Sequence, residues 1–208
     1  FGTAGFLSSQ LMVYSIALYA GYFQGIDEGT RRALEWLALG AFDTGDHTAA
    51  ATRAASGEEL AGEDLARVRL FVERAAMSPL FRRAQRASWR SAEYRFAWDG
   101  RVGDLDGESR DLLREALRAS GRAVPRDDTP LTLEGLADLV FRDDGGLVIV
   151  DYKTDPFETE GDLDRLVARY RVQLRAYGMA LARATGLPVG GLWLLFVGGG
   201  ACAERRID

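Results

Sequence analysis

Along the chain, apolar residues recur first at helical spacing and later at alternating spacing. Residues 11–23, LMVYSIALYAGYF, form a run of 13 largely apolar positions. The run is too short to span a bilayer and lacks the basic flank of a signal peptide, so it predicts a buried helix. The overlapping YFQG at 22–25 resembles the remnant of a protease-cleavable tag, and residues 1–25 are set apart from the functional argument. Ala33, Leu34, Trp36, Leu37 and Leu39 predict a helix over 30–39 with Asp27 as its N-cap. A polar, glycine-containing loop at 42–59 leads into a second helical pattern over about 58–77. SPLFRRAQRA, 78–87, reads as a helix opened by a serine cap with proline in its first turn.

The period then changes. AEYRFAW, 92–98, alternates and is rich in aromatics, which predicts a strand. An acidic amphipathic helix over 104–120 and a Pro- and Asp-rich connection over 121–130 follow. Residues 131–141, 142–146 and 147–152 read as strand, tight turn and strand, the Asp-Gly-Gly supplying the hairpin signal. The longest helical pattern covers 161–186 and is closed by Gly186 and Pro188. GLWLLFV and ACAERRI give two more strands across the glycines 198–200. Helices, strands, a long helix and again strands predict an α/β fold with a central mixed sheet flanked by helices.

Composition narrows the function classes. One cysteine, Cys202, excludes a disulfide framework and a four-cysteine zinc or iron–sulfur site within these residues. It also fits a reducing cytoplasm. A net charge of −5 argues against a generally basic surface, so binding DNA would need a local basic patch. The chain meets its need for positive charge with 25 arginines and one lysine, Lys153.

That lysine sits in VIVDYKTD, 148–155. Asp151 ends an apolar strand, and Asp138 interrupts the apolar strand before it. Carboxylates in such places are costly unless paired or coordinating a cation. Across the hairpin the two can reach adjacent strands at comparable height, and residues two apart put Lys153 on the face of Asp151. Two carboxylates suit Mg²⁺ or Mn²⁺, and a lysine beside them can hold a water or offset charge on a phosphate. A structural Asp–Lys pair at a strand end is the alternative. Gln173 and Tyr177 share one face of the long helix with Tyr170, and a glutamine in that stripe needs a polar partner. Glu93 is the remaining acidic residue of interest; by itself it reads as an exposed strand glutamate.

LEGLADLVF, GLVIVDYKTD and YRVQLRAYGMAL, in this order, resemble the nuclease domain of RecB- and AddA-type helicase–nucleases in the PD-(D/E)XK superfamily. The family's pattern is roughly G-x-x-D, an apolar strand with D-Y-K-T, and Y-x-x-Q-L-x-x-Y on the following helix. AEYRFAW is similar to the family's E-x-P-F strand, with Arg95 where proline is usual. The resemblance implies a restriction-endonuclease-like core and Asp138 and Asp151 as ligands of Mg²⁺ or Mn²⁺, with the Tyr152 carbonyl as a further one. It implies Lys153 as the catalytic lysine, Gln173 and Tyr177 as a pair near DNA and the active site, and Glu93 as a nearby acid. The family also carries a metal-binding histidine in G-T-x-x-H; here Gly29 and Thr30 are present and Ala33 holds the histidine position. The only histidine, His47, is a substitute ligand or a solvated loop residue. The family's iron–sulfur branch is excluded by the absent cysteines.

Two arginine runs are candidate DNA contacts: Arg82, Arg83, Arg86 and Arg90 with Trp89, and Arg169, Arg171 and Arg175 beside Gln173. Arginines with an aromatic suit a single-stranded backbone with base stacking; solvated helix faces paired to acids are the alternative. The expectation is a bacterial, cytoplasmic, metal-dependent DNA nuclease domain, acting on single strands, of a helicase–nuclease that processes double-strand breaks. It would occupy 26–208, with a helical part at 26–90 and a catalytic core at 91–208. No Walker A sequence occurs, so the helicase motor lies in a partner subunit or elsewhere in the parent chain. No membrane is involved in this reading. A DNA-binding or scaffolding module that kept the fold without catalysis is the second function class.

Overall fold

The computed structural model describes residues 70–207 except 72 and 120. The expectations for 1–69, including the first apolar run, the helix over 30–39, Ala33 and His47, lie outside the described residues. Helix α1 is Pro79–Arg86, strand β1 Trp89–Arg101 and helix α2 Gly107–Ala119. Strands β2, Pro130–Asp143, and β3, Gly146–Lys153, form the hairpin. Helix α3, Glu160–Thr185, crosses to strand β4, Val189–Phe196, and strand β5, Ala203–Ile207, follows. The five strands form one sheet in the order β1-β2-β3-β4-β5. Only β3 and β4 are parallel, the other neighbours antiparallel, so the sheet is mixed.

Each face of the sheet buries its own apolar set. Leu147 and Ile149 of β3, Leu194 and Phe196 of β4, and Tyr170, Leu174 and Leu181 of α3 form the larger core. On the other face Val148, Val150, Leu195 and Val197 pack with Leu80 and Ala84 of α1 and with Phe71. The helical segment before β1 is therefore one layer of the same core. Ser78 begins α1 by accepting the Phe81 N–H at 3.0 Å, and Glu204 of β5 accepts the Leu80 N–H at 2.7 Å. Thr159 and Asp162 open α3 with reciprocal side-chain bonds, and Gly186, left-handed at φ 69°, closes it. Among the described residues no helix is long and apolar enough to cross a membrane.

Strand β1 departs from the alternation expected over 92–98. Ala92 pairs with Leu139, which faces α1, while Tyr94 pairs with Ala137, which faces α3. Cross-strand partners share a face, so both strands change face between these pairs. Glu93 supplies the change with φ 48°, the only left-handed non-glycine residue among those described. Its register partner would be Asp138. The strand also starts earlier than expected, at Trp89, so Trp89 and Arg90 stand on the sheet and not at a helix end.

The hairpin register depends on Gly146. Its φ is 113°, and a Cβ there would lie 2.2 Å from the Pro188 carbonyl oxygen. Gly146→Ala is expected to lower stability by about 2 kcal/mol or more through left-handed strain and this clash. Chemical denaturation would show it as a lower midpoint, and an unchanged midpoint would contradict it.

Candidate active site

The β2–β3 ladder pairs Asp143 with Gly146 at the turn and ends with Leu139 opposite Val150. One step further the same register sets Asp138 opposite Asp151. There the backbone ladder is replaced by a side chain: the Tyr152 N–H donates to Asp138 Oδ2 at 2.6 Å. Asp138 is half-buried, and its carboxyl lies in hydrogen-bonding reach of Asp151. Burial, and then the charge of Asp151, hold Asp138 well above the usual carboxylate range, against the opposing pull of Lys153 and the Tyr152 N–H.

Asp151 is 4% exposed, and its Oδ2 lies 2.5 Å from Lys153 Nζ. Apart from this ammonium, no hydrogen bond reaches that oxygen among the described residues. Strand alternation makes the pair: Leu147, Ile149, Asp151 and Lys153 occupy the α3 face of β3, with the lysine at its mouth. The chain beyond is fastened to β4 by the Val197 N–H, which donates to the Lys153 carbonyl at 2.8 Å.

Helix α3 lies over this pair. Gln173 Nε2 donates to the Tyr177 hydroxyl at 2.9 Å, while Gln173 Oε1 is buried with no donor. The Tyr177 ring meets Phe96 of β1 edge-to-face at 5.0 Å. Gly135 makes room for both rings, since a Cβ there would lie 2.4 Å from Phe96 and 3.0 Å from Tyr177. The glycine three residues before Asp138 thus seats the helix that carries Gln173. Tyr170 lies one turn nearer the start of α3, its hydroxyl donating to Asp155 Oδ2 at 2.7 Å. Asp155 is a site residue that the sequence reading above misses. The second aspartate of VIVDYKTD is the available signal.

The other candidates are placed differently. Glu93 stands at the face switch beside Asp138, but among the described residues no three His, Cys, Asp or Glu groups converge as a metal cluster. Arg171 and Arg175 both bind Glu108 of α2, the latter at 2.8 Å, and Arg169 lies 3.6 Å from Asp155. Arg83 pairs with Asp143 and packs over Phe141 and Trp193 on the α1 side, the sheet face opposite Asp151. Arg82 and Arg90 donate to the Met77 and Gln85 carbonyls. Arg86 is exposed on α1. Trp89, 41% exposed, meets Tyr94 edge-to-face at 5.7 Å and shares with it, Arg142, Leu147 and Leu181 a cavity of about 320 Å³. The two arginine runs therefore do not form one basic face.

The donor set fits a divalent cation. With both carboxyls ionised, two carboxylates against one ammonium would leave a net negative charge, which either a proton on Asp138 or a divalent cation removes. One Asp151 oxygen is met by the Lys153 ammonium alone, and Asp138 resists ionisation beside its neighbour. Asp138 and Asp151, with the Tyr152 carbonyl that the resemblance implies, would hold such an ion.

A mixed sheet with paired strand-end carboxylates and a lysine, roofed by a crossover helix, agrees with the comparison to protein families. A model of the PD-(D/E)XK nuclease superfamily matches residues 38–205, and the chain belongs to that superfamily, with its restriction-endonuclease-like α/β fold. Among curated proteins, it is 37% identical over 97 residues to an ATP-dependent helicase/nuclease subunit from Thermoanaerobacter sp. (strain X514), covering 42% of this chain and 8% of that protein. It is also 37% identical over 89 residues to the protein of the same name from Streptococcus pyogenes serotype M3 (strain ATCC BAA-595 / MGAS315), covering 43% of this chain and 7% of that protein. The chain thus matches less than a tenth of the length of these relatives.

The raised Asp138 carboxyl carries a stability consequence. The folded protein keeps this proton to higher pH than the unfolded chain, which releases it near pH ~4. The contribution is therefore full below that range and is lost as pH rises toward the folded value. In chelator, Asp138→Asn, which can still accept the Tyr152 N–H, is expected to melt about 2 °C or more above wild type at pH 7. The gap should close toward pH ~4. Thermal melts across pH check this, and a variant less stable than wild type at pH 7 would refute it.

Proposed function

We propose that this nuclease domain is a Mg²⁺- or Mn²⁺-dependent deoxyribonuclease acting on single-stranded DNA. The observation that carries the reading is the Asp138–Asp151 pair, mutually opposed and served by one ammonium. Asp138, Asp151 and the Tyr152 carbonyl are the proposed metal ligands, and Lys153, Gln173 and Tyr177 complete the catalytic set. A bound divalent cation supplies Lewis acidity toward a phosphodiester and a water of lowered pKa. Lys153, a compact charge on a flexible stem, offsets the negative charge that builds on the phosphate during attack. Asp151 keeps that ammonium inside the site. Gln173, holding Tyr177 with its amide nitrogen, presents Oε1 inward to a donor from water or substrate.

Single-stranded DNA is favoured by the exposed Trp89 and its cavity with Tyr94, where a base can stack, and by Arg142 opposite Trp89 in register. Arg82, Arg86 and Arg90 are exposed nearby in the sequence and suit backbone contacts. Arg83, Arg169, Arg171 and Arg175 are held in ion pairs within the domain, and a phosphate would compete with those acids for them. The domain, residues 26–208, would belong to a larger bacterial, cytoplasmic helicase–nuclease of double-strand-break repair and recombination, a reading whose helicase–nuclease part is supported by the names of the relatives. Its motor would be in a partner subunit or elsewhere in the parent chain.

The purified chain is expected to cleave single-stranded DNA with Mn²⁺ and not with chelator. Asp151→Ala and Lys153→Ala should each lower the rate at least about 100-fold. Asp151→Ala should also lose the rise in melting temperature that Mn²⁺ gives the wild type. DNA binding without cleavage would overturn the enzyme reading in favour of the non-catalytic module, for which Ala33 at the histidine position is the favouring observation.

A further inference from the structure

Lysine carries its charge on a flexible four-carbon stem, so something must fix where Lys153 Nζ sits. Carboxylates attract the ammonium from one side and do not by themselves set the path of the stem. The ring of Tyr170 supplies the second constraint, with its centroid 4.1 Å from Nζ. At that range the electron-rich ring face attracts an ammonium, more strongly when both are shielded from water. Tyr170 is 1% exposed and the Lys153 side chain 11%.

The ring is itself fixed. Its hydroxyl donates to Asp155 Oδ2 at 2.7 Å, and Arg169 lies 3.6 Å from Oδ1 of the same carboxylate. Asp155 follows Lys153 by two residues on the loop leaving β3, while Tyr170 belongs to α3. Loop, helix and strand therefore meet at one ring, with its face toward the ammonium and its hydroxyl anchored. Leucine would fill the same core position on α3 but has no face for a cation, and phenylalanine would keep the face and lose the anchor.

We propose that Tyr170 is a positioning residue for Lys153: its ring face, oriented by Asp155, holds the ammonium against the Asp151 carboxylate. The catalytic consequence rests on the nuclease reading above. The contact itself does not.

The chain's single lysine makes the contact directly readable. Protein labelled with ¹³C at lysine Cε gives one ε-methylene resonance by NMR. A ring face over the ammonium shields those protons, so the wild-type signal should lie upfield of the free-lysine position. In Tyr170→Leu it should return to that position, and in Tyr170→Phe it should remain shifted. A wild-type signal at the free-lysine position, or a folded Tyr170→Leu variant with an unchanged signal, overturns the proposal. If Tyr170→Leu does not fold, the wild-type and Tyr170→Phe signals decide. In cleavage assays Tyr170→Leu should lower kcat about 10- to 100-fold with KM for single-stranded DNA within about threefold, because misplacing a catalytic group costs chemistry and not binding. A rise in KM alone counts against it. A wild-type chain inert toward DNA would defeat the nuclease reading, while the resonance would still decide the contact.

Discussion

Two carboxylates held opposite each other at the end of a ladder cannot both carry charge in a dry interior without a cation nearby. Asp138 and Asp151 are held that way because the β2–β3 register runs unbroken from the turn to Leu139 and Val150. Asp138 then takes the place of a backbone carbonyl by accepting the Tyr152 N–H. Lys153 answers part of the charge, and the proton that Asp138 retains answers the remainder unless a cation takes its place. Much of the surrounding architecture can be understood as holding this one unfavourable arrangement in place.

The single parallel pair in the sheet has a role here. Joining β3 to β4 in parallel requires a long crossover, and α3 is that crossover. Its path back over the sheet sets Tyr170, Gln173 and Tyr177 above the mouth of β3. Glu108 of α2 grips Arg171 and Arg175 on the solvent side of the same helix. Arginines that could have met a phosphate backbone are thereby partly spent on keeping the roof in position.

Much of this was legible in the residues. An aspartate interrupting an apolar strand and another ending the next are visible without coordinates. The period of two puts Lys153 on the face of Asp151, and a glycine with a following proline marks the end of α3. Other features were not legible. AEYRFAW alternates cleanly, so nothing in it reveals that Ala92 and Tyr94 face opposite sides of the sheet. The pairing of arginines with particular acids is also hidden, because Arg83 and Asp143 are 60 residues apart and meet only through packing. Asp155 was overlooked because its partner, Tyr170, sits 15 residues away on a separate element.

The face switch at Glu93 and Asp138 also bears on how such a domain can change. The cross-strand register is the same on both sides of the switch, from Trp89 opposite Arg142 to Arg101 opposite Pro130. Both strands therefore reverse in the same step, and neither gains a residue on the other. An insertion or deletion in one strand alone would turn one side of that strand's apolar set toward the wrong layer. The two strands can lengthen or shorten only together. A length change that respects this would leave the carboxylates facing each other, so β1 and β2 form one heritable unit although helix α2 separates them in the chain.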